Sequence, residues 1–167
     1  MKSLCLTALL FLAASPSIAC QVRKLDAPDA LILRADAIYR ANANEYVAPI
    51  NMNNLAKSAL VTFTILETIK GPLKKSIQFP GVVTELNDKN DMPVPYNFVR
   101  PAGRSGHCFA TSYKIGQEYL LFIKGGTPYW SRLAPTNEEV AGKTDAWVVW
   151  ARQNTARLSR NLTNQSR

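Results

Sequence analysis

Histidine is nearly absent from this sequence, and its scarcity excludes more chemistry than any residue present establishes. His107 is the only one in 167 residues, so catalytic triads and multi-histidine metal sites are excluded. Its neighbour Cys108 would point the opposite way in an extended chain, which argues against a nucleophile–base pair. There is no phosphate-binding Gly-rich loop, no Gly-x-Gly-x-x-Gly and no zinc-finger spacing. Glu85, Asp88 and Asp91 lack EF-hand spacing and read as a solvated acidic loop, and no carboxylate pair stands out for hydrolysis. The expectation is therefore a protein without enzymatic activity and without a cofactor. Charged residues are only 19% against 47% apolar, a balance that excludes a disordered chain. Beyond the N-terminus no apolar run is long enough to span a bilayer, so a multi-span membrane protein is excluded too.

The one long apolar run lies at the start. Lys2 gives a positive beginning, Leu4 to Ala14 an apolar middle, and Ser17-Ile18-Ala19 a small-x-small cleavage pattern. Residues 1–19 thus read as a secretory signal peptide, which predicts a secreted or periplasmic protein. The remaining length suits one domain, expected over 20–158, with 159–167 as a flexible tail. Cys20 directly follows the small residue Ala19, as in lipoprotein signals, so an outer-membrane lipoprotein acylated at Cys20 is the alternative. Ser17 stands where such signals usually carry leucine.

Cys5 leaves with the signal, and two cysteines remain. In an oxidising compartment Cys20 and Cys108 are expected to pair. A closed loop of about ninety residues gives at most roughly 4–5 kcal/mol by chain entropy. Thioether acylation would consume the Cys20 sulfur, so the disulfide and that form of lipoprotein exclude each other.

Hydrophobic patterning predicts a mainly β chain. Asp26-Ala27-Pro28-Asp29 starts a short helix, with aspartate available to accept free N–H groups and proline suited to the first turn. Ala35 to Val47 reads as a long, bent strand. Ala59 to Ile69 is the clearest strand: Val61, Phe63, Ile65 and Ile69 share one face, and Thr62, Thr64 and Thr68 the other. Ser76 to Val83 is a third strand with a bend at Pro80-Gly81. Glu118 to Lys124 is a buried fourth, and Gly125-Gly126 turns it into a fifth at Tyr129 to Leu133. Thr136-Asn137-Glu138-Glu139 matches a helix capping box. Trp147, Trp150, Ala151, Asn154 and Leu158 recur at helical spacing and predict a C-terminal helix packed through its tryptophans. Thr84 to His107 is a long loop rich in proline and glycine, the kind of segment that usually carries function.

Lysine and arginine exceed acids by a formal net charge of +8. Arg100, Arg104, Lys114, Arg132, Arg152, Arg157, Arg160 and Arg167, with Tyr96, Phe98 and Tyr129, offer an anionic-ligand footprint. Export argues against nucleic acid and leaves acidic polysaccharide or an anionic surface; a solvated basic face is the plainer reading. Asn161-Leu162-Thr163 and Asn164-Gln165-Ser166 match glycosylation sequons, which matter only in a eukaryotic host.

Four features recur in order: Cys20 at the mature N-terminus, then Ala35-Asp36-Ala37-Ile38-Tyr39-Arg40, then the strand Val61 to Ile69 ending in Lys70-Gly71. The last is Cys108 ahead of Tyr113 and Gly116-Gln117-Glu118-Tyr119-Leu120. Together they resemble the netrin-like domain family, which includes the tissue inhibitors of metalloproteinases and bacterial relatives. The match covers roughly 20–135. The resemblance implies a five-stranded OB-type closed barrel, with a short N-terminal helix, a packed C-terminal helix and a disulfide-tethered N-terminus. It implies a non-enzymatic binding module whose partner is an extracytoplasmic protein. Cys20, Gln21, Tyr96, Phe98, Arg100 and Arg104 are the candidate binding residues. In the inhibitor branch the terminal cysteine's amine and carbonyl chelate the protease zinc, roles that would fall on Cys20, with Gln21 entering the specificity pocket. The inhibitors begin cysteine-x-cysteine, whereas this chain reads Cys20-Gln21-Val22, so a second anchoring bond is missing from that end.

Overall fold

The computed structural model describes residues 27–47, 59–89, 112–128, 130–131, 134–135 and 137–165. Helix α1 (Pro28–Arg34) has proline in its first turn, as expected, but no side chain caps it. The Ala27 carbonyl receives the Leu31 N–H at 3.1 Å. Asp29 accepts from Arg157 Nη2 at 2.7 Å instead of capping. An acidic side chain in the first turn still favours the helix dipole.

Strands β1 (Ala37–Val47), β2 (Leu60–Lys70) and β3 (Ser76–Pro80) follow in an antiparallel meander. Gly81 ends the expected third strand early: its N–H donates to Ala59, and the chain resumes as β4 (Val82–Val83). Strand β4 lies parallel to β5 (Ser112–Tyr113). Strand β6 (Glu118–Lys124) pairs with β1 and is buried through its whole middle, matching its continuous apolar run.

The next segment departs from expectation. Gly125 and Gly126, both at positive φ, do form a hairpin turn, but it feeds only the two-residue β7 (Thr127–Pro128). The chain then makes a separate small hairpin, β8 (Trp130–Ser131) with β9 (Ala134–Pro135). The fifth strand of the main sheet is β10 (Asn137–Val140), on the far side of β6. The capping box at Thr136–Glu139 is therefore corrected: Asn137, Glu138 and Glu139 are strand residues, all buried. Helix α2 (Ala146–Gln165) begins later, where Asp145 does the capping. Its Oδ1 accepts from the Trp147 N–H at 2.9 Å and its Oδ2 from the Ala141 N–H at 2.8 Å. The helix runs on through most of the segment expected as a tail.

The fold is thus mainly β, an antiparallel sheet in the order β10-β6-β1-β2-β3 with a short helix before it and a longer one after it. Among the described residues no ladder joins β3 to β10, so the sheet is seen as an open path rather than a closed barrel. Both faces are covered. Leu31, Ile38, Leu120, Phe122, Val140, Trp147 and Val148 bury one face under the helices. On the other, Tyr39, Val61, Phe63, Phe79, Tyr113, Tyr119 and Leu121 form a second, aromatic core. Phe63 is the hub of that core, with ring centroids 4.9 Å from Tyr113 and 5.9 Å from Phe79 and Tyr119.

The expected grouping of Ile69 with Val61, Phe63 and Ile65 is also corrected. The β1–β2 register steps from Ala41↔Ile65 to Arg40↔Glu67, leaving Leu66 as an extra residue. A bulge of one residue reverses which side chains face which side. Ile69 accordingly packs on the helix-covered core, while Val61, Phe63 and Ile65 stay with the aromatic one.

Candidate functional site

Cys20, Gln21, Tyr96, Phe98, Arg100 and Arg104 lie outside the described residues, as do His107, Cys108 and the expected Cys20–Cys108 bond. What the structure describes is the base from which the 84–107 loop departs and to which it returns. The two stems run side by side through the parallel β4–β5 pair, Val82↔Ser112 and Val83↔Tyr113. The Thr84 N–H extends this pairing by donating to the Tyr113 carbonyl at 3.0 Å.

Strand β10 clamps both stems with buried polar side chains. Glu139, only 2% exposed, accepts the Asp88 backbone N–H through Oε2 at 2.7 Å. A single parallel bridge, Lys89↔Glu139, lies beside it. Asn137 Nδ2 donates to the Tyr113 hydroxyl, which holds the returning stem. Lys114 Nζ reaches across to Asn87 Oδ1 at 3.1 Å, and the Lys114 N–H donates to the Tyr119 hydroxyl at 2.7 Å. Glu139 Oε1 accepts no hydrogen bond. Burying a carboxylate and an amide in a small sheet opposes folding unless they are paired. Here the pairing joins the fifth strand to both stems, which already pair with each other. These residues were missed because adjacent acids after threonine also fit a helix start. The sequence signal against that reading was Gly142, five residues on, which adopts φ 106° and would interrupt a helix begun at Asn137.

Of the residues that carry the family resemblance, Asp36, Tyr39, Lys70 and Gly71 meet at another corner, and each has a structural task. Lys70 Nζ donates to the carbonyls of Ile32, Leu33 and Ala35 at 2.7, 3.2 and 2.6 Å, capping the end of α1. Burial pushes the Lys70 ammonium below its usual range, and nearby Asp36 opposes that shift. Asp36 Oδ2 accepts the Gly125 N–H at 2.8 Å and fixes the β6–β7 turn. Tyr39 donates to the Pro72 carbonyl at 2.8 Å, and burial raises its phenol above the ordinary value. Gly71 sits at φ 90°, and a Cβ there would come within 2.7 Å of Ala37 Cβ and of the Asp36 carbonyl.

Several of the basic residues expected to form an anion footprint are engaged within the fold. Arg152 of α2 donates to both Glu67 oxygens, at 2.9 and 3.0 Å. Arg40 joins Glu67 and Glu118, at 3.2 and 2.5 Å. The Arg152 hydrogen bond, with help from Arg40 and against partial burial, holds the Glu67 carboxyl below its usual range. Arg157 ties α2 to Asp29 of α1. Of the acidic loop residues, Glu85 is exposed and Asp88 buried, so they diverge. Among the described residues no group of three or more His, Cys, Asp or Glu could hold a metal ion. Nor is any described helix long and apolar enough to cross a membrane.

The fold and this base define a class of arrangement: a β sheet whose fifth strand fastens the roots of a long connecting loop. No family model matches the chain, and no curated protein matches it.

Proposed function

We propose that the protein is an exported, non-enzymatic binding module of netrin-like type, which presents the 84–107 loop and the Cys20–Gln21 terminus to an extracytoplasmic protein. The observation that carries this reading is the buried clamp of Asn137 and Glu139 on both loop stems. Long loops contribute to recognition when a rigid scaffold positions their roots. The strand order supports the finer reading of an OB-type closed barrel. Opening a five-strand barrel at one seam leaves the path β10-β6-β1-β2-β3, and the parallel Lys89↔Glu139 bridge falls where β10 would meet the chain following β3.

Intact mass before and after reduction tests the terminus. The expected result is a chain starting at an unmodified Cys20 that gains two hydrogens on reduction. An acylated Cys20 rejects this reading in favour of the envelope lipoprotein. The binding surface is tested by replacing Tyr96, Phe98, Arg100 and Arg104 together with alanine. A cross-linked extracytoplasmic partner should be lost at unchanged thermal stability, and a partner retained in full counts against the loop. The inhibitor branch predicts inhibition of a secreted metalloproteinase that disappears when one residue is added before Cys20.

A further inference from the structure

The connection between β2 and β3 is unlike the rest of the described surface. Every residue from Gly71 to Ser76 is exposed, and Leu73 is exposed to 89%, the most of any large apolar side chain described. Two more exposed leucines lie on elements tied to this corner by hydrogen bonds. Leu33, at 48%, belongs to the end of α1 that Lys70 caps, directly before this connection. Leu66, at 42%, is the extra residue of the β2 bulge. It follows Ile65, whose N–H donates to the Lys75 carbonyl at 2.9 Å. Lys74 and Lys75 directly follow Leu73 and form no ion pair with the described acids. Glu67 is engaged by Arg40 and Arg152, and Asp36 by the Gly125 N–H.

From this juxtaposition we infer that the β2–β3 connection is a membrane-surface anchor, inserting Leu73 into the interface of an anionic phospholipid bilayer while Lys74 and Lys75 meet the headgroups. A projecting leucine gains from an apolar phase and gains nothing from a hydrated polysaccharide. Unpaired lysines beside it gain from anionic lipid, as does the positive net charge, +8 for the full sequence and +7 from Cys20 onward. An exposed run of six residues suits immersion in an interface better than the broad, flat contact that a stable protein complex needs. The inference is independent of the loop-binding reading, since it uses none of the same residues.

Sedimentation of the purified protein with vesicles tests it, using phosphatidylglycerol–phosphatidylcholine mixtures against pure phosphatidylcholine at low salt. Leu73→Ser should weaken partition onto anionic vesicles about tenfold, and Lys74→Gln with Lys75→Gln about thirtyfold. Any contribution from other segments is common to wild type and variants, and these exposed positions should leave the thermal midpoint unchanged. Leu73→Trp should shift its emission to the blue on anionic vesicles and not with dextran sulfate. Equal partition of wild type and Leu73→Ser overturns the inference, as does absence of vesicle binding. It fails equally if dextran sulfate binds with the same lysine dependence and the Leu73→Trp emission stays unshifted on vesicles; the surface is then a polyanion site.

Discussion

At the scale of single residues, the sharpest contrast is between two glycines with nearly the same positive φ. Gly71 and Gly116 have φ of 90° and 85°, but only Gly71 is crowded, by Asp36 and Ala37; a Cβ at Gly116 would meet nothing within 4 Å. Gly116→Ala should therefore destabilise by about 1–2 kcal/mol, the left-handed backbone term alone. Gly71→Ala adds a clash with backbone and should cost about 3 kcal/mol or more. Urea midpoints of the two variants measure the difference, and equal losses would show that crowding at the corner is relieved freely. Lys70 belongs to the same corner. Lys70→Met leaves the α1 carbonyls without their donor and should cost about 1–3 kcal/mol. The lysine-glycine pair ending the second strand is thus explained by fold, which is why its resemblance to other chains says little about binding.

At the scale of elements, the question is what fastens the helices and the fifth strand to the sheet. Arg152 of α2 and Arg40 of β1 converge on Glu67 of β2. Because Glu67 titrates below its ordinary value of 4.5 in the fold, the stabilisation is complete above that value. It is lost as pH falls through the lower folded value, since the unfolded chain takes up the proton first. Glu67→Gln should cost about 1–2 kcal/mol at neutral pH, Arg152 being well exposed. The gap between wild type and variant should close in acid, and stability curves against pH check both the size and the direction.

The fifth strand marks the limit of what the sequence revealed at this scale. Strand β6 was legible because continuous apolar residues can only be buried on both faces. Helix α2 was legible because its tryptophans recur at a helical period. Strand β10 was not, because Asn-Glu-Glu is a poor strand former and its place depends on the open edge of β6 and on the loop stems it receives. The bulge at Leu66 was hidden for a similar reason, since one extra residue leaves the local alternation intact on either side. Glu139→Leu tests the part of the fold that was not legible, the clamp of β10 on the loop. It removes the acceptor for the Asp88 N–H, costs about 1–3 kcal/mol, and should speed limited proteolysis within the 84–107 loop. Unchanged cleavage there would detach the clamp from any part in presenting the loop.

At the scale of the whole molecule, the two cores of the described residues lie on opposite faces of the sheet, and β6 belongs to both. Leu120 and Phe122 point into the helix-covered core, and Tyr119, Leu121 and Ile123 into the aromatic one. Neither core can lose β6 and survive, because β6 also carries the pairing to β1 and β10. A layered sheet built this way should unfold as one unit rather than shed its helices first. Leu120→Ala and Leu121→Ala each remove a fully buried side chain and should each cost about 2–5 kcal/mol. The test lies in the probes. Tryptophan emission includes Trp147 and Trp150, which lie on the helix side, while near-ultraviolet tyrosine signals include Tyr39, Tyr113 and Tyr119 of the other core. Both probes should move to the same new midpoint in both variants. If Leu120→Ala lowered the tryptophan midpoint alone, α1 and α2 would be a separable layer, and the ties from Arg152 to Glu67 and from Arg157 to Asp29 would hold the helices only loosely to the sheet.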